Sequence, residues 1–292
     1  MSKIYYITDN RENFIQGNYY QCYINGFSKI ENCEIKYLEE NITELNCDVI
    51  IIGHGLMAVF IGNKYTNILN LIRKSRAKKI LFTRNDYGNR INQQQNIINE
   101  IKPDLTVVNT RNSLRAYKNT ILKWMPFGID NRFINKNLDR PIDIGFRGNL
   151  NNKWNKGERG KFIQLINTLS KNYTIDIQTS NNGEKFLLGI KYIDWLNSCK
   201  LIINTISASE TVGPKFIEAM SCGCAIIAPP NKYEGLFIED INYMCIKNQP
   251  DLCKIDMYIA NDIYRQSFLD ANFKFVSENN TLVQAKEILN LL

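Results

Sequence analysis

Along the first 110 residues, short runs of β-branched and aromatic residues alternate with longer stretches of helical spacing. The runs are Lys3–Thr8, Glu34–Leu38, Asp48–Ile52, Lys79–Thr83 and Asp104–Val108, and Ile68, Leu69, Leu71 and Ile72 recur at the helical interval between two of them. This alternation predicts repeated β-α units, hence a mostly parallel sheet with helices on both faces. The pattern breaks at Trp124–Asp130 and restarts after Arg140-Pro141. From there it predicts a strand at Ile142–Phe146, a helix from about Glu158 to Lys171, and a strand at Tyr173–Gln178. A helix at Tyr192–Ser198, a strand at Lys200–Asn204, a helix at about Pro214–Cys222 and a strand at Ala225–Ala228 follow, before helical spacing through Ile255–Asp270 and Leu282–Leu292. The expectation is an α/β protein of two Rossmann-like, doubly wound domains facing across a cleft. Residues 1–125 would form the first, 126–140 a linker, 141–280 the second, and 281–292 a C-terminal helix packing back on the first. No repeat of solenoid period is present.

Ligands of such sheets bind beyond the carboxyl ends of the strands, so loops that follow strands are where chemistry is expected. His54, Asn85, Arg147 and Ser207–Gly213 occupy such positions. The richest segment is Ser207-Ala-Ser-Glu-Thr-Val-Gly-Pro-Lys-Phe-Ile-Glu-Ala-Met-Ser-Cys-Gly-Cys224. Pro214 has the fixed φ suited to a first helical position and Gly223 suits the C-terminal cap. Ser209, Thr211, Val212 and Gly213 would then offer main-chain N–H groups to a phosphate. Glu210 precedes this turn and Glu218 follows it, so a carboxylate stands on each side of a phosphate-binding segment. Ionised carboxylates accept hydrogen bonds strongly, and a nucleotide sugar has hydroxyls on both sides of its diphosphate. The plainer reading of Glu218 and Lys215, three apart on one helix, is a surface pair worth a few tenths of a kcal/mol. Against that, Phe216, Ile217, Ala219 and Met220 surround Glu218 with apolar side chains, where a carboxylate needs a specific partner. His54, after a buried strand and before Gly55, reads either as a structural histidine or as a ligand to sugar or acceptor.

The spacing Glu210-x7-Glu218, followed by Ala-Met-x-x-Gly223-x-Ala-Ile-Ile, resembles the signature of retaining family 4 glycosyltransferases of the GT-B fold and of spore-maturation-protein-like glycosyltransferases. Pro126-Phe-Gly-Ile-Asp130 resembles that family's interdomain motif, and Asp48–His54 its strand ending in histidine. The likeness is best from about 126 to 240. It implies that Glu218 holds the donor ribose, Glu210 the donor sugar, and the backbone near Val212 and Gly213 the diphosphate. The family also places an Arg and a Lys on the diphosphate after the first strand of the second domain. Here Asn149 stands where the Arg is expected, so Arg147 and either Lys153 or Lys156 are the substitutes, with Lys215 a further candidate cation.

What composition adds is chiefly exclusion. The chain has 292 residues, 44% hydrophobic and 22% charged, which is ordinary for a folded protein of about two domains. No apolar run approaches the ~20 residues of a membrane-spanning helix, and the first residues lack the pattern of a secretory leader, so a cytoplasmic location is expected. Eight cysteines without a CxxC, and a single histidine, argue for reduced thiols and against a histidine-bearing zinc cluster. No Asp-x-Asp occurs, so metal independence is expected, and no cofactor beyond the donor. GxGxxG and Walker-type sequences are absent, removing dehydrogenase and P-loop readings. Of the formal charge of +7, six units fall in residues 1–125 and concentrate at Arg73, Lys74, Arg76, Lys78 and Lys79. That cluster fits either a solvated helix end or an anionic partner, nucleic acid or a membrane surface contacted peripherally. The reading is therefore a retaining, metal-independent transferase using a nucleoside diphosphate sugar, UDP-sugar favoured, with a glycan, lipid-linked glycan or modified nucleic acid as acceptor. Its rivals are a non-catalytic module binding an anionic partner through the first domain, and a sugar-nucleotide epimerase or hydrolase.

Overall fold

The computed structural model describes residues 2–9, 21–38, 40–54, 56, 60, 66–83, 89–129, 131–149, 157–179, 187, 189–205 and 212–292. It divides into two compact units, one ending at Asp130 and reclaiming Asn279–Leu292, the other containing Asn131–Glu278.

The first unit holds a six-stranded sheet. Its strands are β1 (Ile4–Thr8), β2 (Cys33–Tyr37), β3 (Val49–Ile52), β4 (Lys78–Phe82), β5 (Leu105–Val108) and β6 (Ile121–Trp124), in the spatial order β2-β1-β3-β4-β5-β6. Every pairing is parallel. Such strands are covered on both faces, which is why β3 and β5 read as unbroken apolar or β-branched runs and are buried throughout. Helices α1 (Gln21–Phe27), α2 (Thr66–Lys74) and α3 (Asn89–Ile101) lie in the same unit. One face of the sheet packs Ile50, Ile52 and Leu81 with Ile68, Ile72 and Ile98 from α2 and α3. The other packs Tyr6, Ile51, Ile80 and Phe82 with Cys22, Tyr23 and Phe27 from α1.

The second unit holds five parallel strands: β7 (Ile142–Gly148), β8 (Ile175–Thr179), β9 (Cys199–Ile203), β10 (Ala225–Ala228) and β11 (Met244–Cys245), ordered β11-β10-β9-β7-β8. The order reverses between β7 and β9, the switch point at which the carboxyl ends of the strands leave a crevice. Around the sheet lie α4 (Glu158–Asn167), α5 (Gly189–Asn197), α6 (Lys215–Ser221), α7 (Cys253–Ala260) and α8 (Asp262–Glu278). The helix expected to run to Lys171 gives way to a 3-10 turn at Thr168–Lys171.

The last helix, α9 (Thr281–Leu289), belongs to the first unit. Ala285 and Ile288 enter its core, and the backbone of Thr281 stands where a side chain on Gly26 would be. The segment expected as a linker is laced down on both sides. Pro126 O accepts from Tyr23 Oη at 3.2 Å and from Gln284 Nε2 at 3.1 Å, and Ile129 O from Thr281 N at 3.2 Å. On the other side, Asn197 Oδ1 accepts from Lys136 N at 2.8 Å, and Arg140 donates to Cys199 O at 2.6 Å and Cys222 O at 2.5 Å. All eight cysteines are free thiols, five of them buried. Among the described residues no helix is long and apolar enough to cross a membrane.

Candidate donor site

At the carboxyl ends of β7 and β9 the second unit brings charged groups together under low exposure. Glu218, in the first turn of α6, is 2% exposed, and Tyr192 of α5 donates to its Oε2 at 3.0 Å. Burial first, and the Glu218 carboxylate next to it, hold the Tyr192 phenol well above its ordinary pKa, so it remains a donor. This answers the surface-pair reading of Glu218: its carboxylate is inside the unit and has a neutral hydroxyl to receive.

Lys215 is half-buried and its Nζ donates to Arg147 O at 2.7 Å. Burial lowers its pKa to about 8, Glu218 acting against this and the Arg159 guanidinium adding to it. An ammonium held this way has few other negative neighbours, and an arriving phosphate would restore its charge.

Arg159, in the first turn of α4, is the second cation. Its Nε donates to Thr205 Oγ1 and its Nη1 to Asn149 O, both at 2.7 Å, and burial lowers its pKa. It thereby ties the end of β7 to the end of β9 across the switch point. Sequence reasoning did not single it out, although a signal exists: a cation in a helix's first turn opposes the helix dipole and so has some other purpose.

Other candidates are placed differently. Arg147 is engaged within the fold and is not a loop cation: its guanidinium meets both Asp176 oxygens, at 3.0 and 2.5 Å, and lies 4.7 Å from the Trp195 ring. Trp195 Nε1 donates to the same carboxylate at 2.9 Å. The Val212 N–H, expected to face a diphosphate, donates instead to Glu234 Oε2 at 3.0 Å. Glu234 reaches it from a run of three left-handed residues, Tyr233, Glu234 and Gly235, anchored where Tyr233 packs on Phe216 and Tyr243. The helix behind Gly213 has seven residues, too short for its dipole to be the main attraction for an anion. Gly223 is left-handed at φ 77°, as its capping role requires, with Cys224 N donating to Ala219 O at 2.9 Å. Ser209, Glu210, Thr211, Lys153, Lys156 and Asn85 lie outside the described residues.

In the first unit, His54 follows β3 and is 2% exposed. Its Nδ1 donates to Thr83 O at 2.7 Å, and its ring lies 5.1 Å from that of Phe82 and 5.4 Å from that of Tyr23. The basic cluster sits at the amino end of the same sheet, where α2 ends and β4 begins, opposite the carboxyl ends. Arg73 and Lys74 fall in the last turn of α2, Lys79 Nζ donates to Ser75 O at 2.9 Å and Lys78 Nζ to Leu292 O at 3.1 Å. Arg76 lies between them.

Residues 159–289 match the family model described as glycosyl transferase-like. No curated protein matches the chain. Among solved structures, Anabaena Alr3699/HepE in complex with UDP-glucose is 11% identical, with a TM-score of 0.63 over 100% of both chains. A variant of S. aureus TarM in complex with fondaparinux, α-GlcNAc-glycerol and UDP is 16% identical, with a TM-score of 0.56 over 83% of this chain and 55% of that one. At these identities the likeness establishes the fold, and the fold is GT-B. The matched stretch begins at Arg159, so that cation, Lys215 and Glu218 all lie inside it. Among its described residues no group of three or more His, Cys, Asp or Glu side chains is arranged to hold a metal ion.

Proposed function

We propose that the protein is a retaining, metal-independent glycosyltransferase that takes its sugar from a UDP-sugar. The observation that carries this is the set at the β7–β9 switch point: buried Glu218 with Tyr192 behind it, and the partly buried cations Lys215 and Arg159. Glu218 accepts from the ribose hydroxyls. Lys215 and Arg159 meet the diphosphate, replacing Arg147, whose guanidinium Asp176 occupies. Glu210 takes the transferred sugar's hydroxyls, and the first unit, with His54, takes the acceptor. That HepE is solved with UDP-glucose, and the TarM variant with UDP, favours uridine as the base.

When the C1–oxygen bond to the donor breaks, its electron pair goes to the departing diphosphate. Fixed cations in a site of low dielectric stabilise that developing charge without reorganising. The acceptor oxygen bonds to C1 on the face the diphosphate leaves, and its proton passes to the diphosphate oxygen. No protein nucleophile is required. Metal independence rests on the lack of an Asp-x-Asp pair in the sequence.

The test is thermal melting of wild type and Glu218→Gln with UDP and UDP-glucose, in chelator. A ligand at 100 times its Kd adds about 2.7 kcal/mol to the folded state, so wild type melts measurably higher. Glu218→Gln, which keeps shape and a partner for Tyr192, loses most of that shift. An equal shift in the variant removes the assignment of Glu218, and no shift in wild type removes the donor site.

A further inference from the structure

Asn204 stands at the carboxyl end of β9 and is 8% exposed. Its main-chain N–H continues the ladder to Ile227 O at 2.9 Å, so the strand's geometry still governs where its side chain goes. Its Oδ1 accepts from Thr205 N at 3.0 Å, while its Nδ2 is buried and has no hydrogen-bond partner. A buried donor left without a partner is costly, and native structures keep one mainly where something else completes it.

Strand alternation tells which face the amide is on. Successive side chains of a strand point to opposite faces, so Asn204 shares a face with Ile202. Ile202 Cδ1 lies, with Trp195 of α5, against the bare Cα of Gly145. This is the face of α5 and α6, from which Tyr192 and Glu218 meet. Thr205, the next residue, turns the other way and receives Arg159 of α4. The amide with its unpaired Nδ2 thus lies at the end of the switch-point strand, on the face of the helix that carries Lys215, while its chain neighbour Thr205 holds Arg159.

We infer that Asn204 is a binding residue whose Nδ2 donates to a diphosphate oxygen of the bound nucleotide. This rests on the donor-site reading above and deepens it. A neutral donor beside two cations adds direction where they add charge: it fixes the rotation of the phosphate and makes the site prefer a diphosphate over a nucleoside.

The experiment is calorimetric titration of wild type, Asn204→Leu and Asn204→Asp with UDP and with uridine, alongside melting temperatures without ligand. Asn204→Leu removes the unpaired donor but also the acceptor of Thr205 N, two opposing effects that leave its ligand-free melting temperature close to that of wild type, while Asn204→Asp keeps that acceptor. The UDP affinity of Asn204→Leu falls by about tenfold or more, the size expected for a lost hydrogen bond to a charged group, while uridine binding holds within about twofold of wild type. Asn204→Asp, of the same shape, loses more UDP affinity because a carboxylate then faces the phosphate. UDP affinity within about twofold of wild type in both variants overturns the proposal and leaves Asn204 a defect of packing only. If wild type itself binds no UDP, the donor-site reading falls and this one with it. If wild type binds UDP and both Asn204 variants bind it as well as wild type does, the donor-site reading stands and only the role of Asn204 falls.

Discussion

The carboxyl end of the first sheet and that of the second are built on the same parallel frame and finished in opposite ways. In the first unit His54 is packed among Tyr23, Phe82 and Phe127, its Nδ1 given to a backbone carbonyl. In the second, two cations and a carboxylate are held at low exposure, each tied to the fold by groups that leave charge available. A ring cluster gives shape and stability at little electrostatic cost. Partly desolvated ions are costly, and natural sequences keep them where charge must be met. Under the function proposed above, the contrast assigns the handling of charge to the second unit, which holds most of the matched stretch.

The largest expected effect tests that assignment directly. Lys215→Met should lower kcat/KM with a UDP-sugar by about 100-fold or more, the size typical of removing one fixed group from a developing oxyanion. The pH dependence supplies the sign. Its folded pKa of about 8 lies below the ordinary lysine value of 10.5, so between these the unfolded chain binds more protons. This group's contribution to stability therefore rises as pH rises from about 8 towards 10.5, while affinity for UDP falls over the same range as the ammonium is lost. Denaturant unfolding and titration across pH 7–10 on wild type and Lys215→Met check both; parallel pH curves for the two proteins would remove Lys215 from the site.

A middle-sized effect tests the other half. His54→Ala should cost about 2–3 kcal/mol in denaturant unfolding, because it opens a cavity among three rings and leaves Thr83 O without its donor. Activity per folded molecule then separates the two readings of this histidine. A fall of more than about tenfold in kcat/KM, beyond what the unfolded fraction explains, makes it part of the acceptor site. A proportional fall makes it a packing residue, and the contrast between the two ends becomes sharper.

The two frames were legible for a simple reason: buried parallel strands must be apolar at every position. Ile50, Ile51 and Ile52 are fully buried, and so are Ala225 to Ala228, which is how those runs stand out. Strand β6 escaped because it is an edge with Ile121 69% exposed and Lys123 within it, and β11 because two residues carry no period. At the site, Glu218 was legible as a carboxylate in an apolar helix. Arg159 was not singled out, since its anchors are set by the sheet order, Thr205 lying 46 residues away. For the same reason the sequence suggested Arg147 for the phosphate: Asp176, which takes its guanidinium, is 29 residues distant and becomes its neighbour only when β7 pairs with β8.

The smallest expected effect separates two amides, each with an unpaired Nδ2, that the sequence alone cannot tell apart. Asn272 lies inside α8, fully buried, with neither its Oδ1 nor its Nδ2 hydrogen-bonded. Unlike Asn204 it is on no strand end, and α8 packs on α6 and β10 with Phe268 and Asn272 its buried residues. Asn272→Ala removes two unsatisfied polar atoms and improves helix propensity, against a small cavity. The expected net is a gain of about 1 kcal/mol in denaturant unfolding, with no change in UDP affinity. A loss of stability would mean that water or a neighbour satisfies that amide, and the same argument for Asn204 would weaken with it. A gain here, together with lost UDP affinity in Asn204→Leu, would show that the same defect is structural in the core and functional at the end of the sheet.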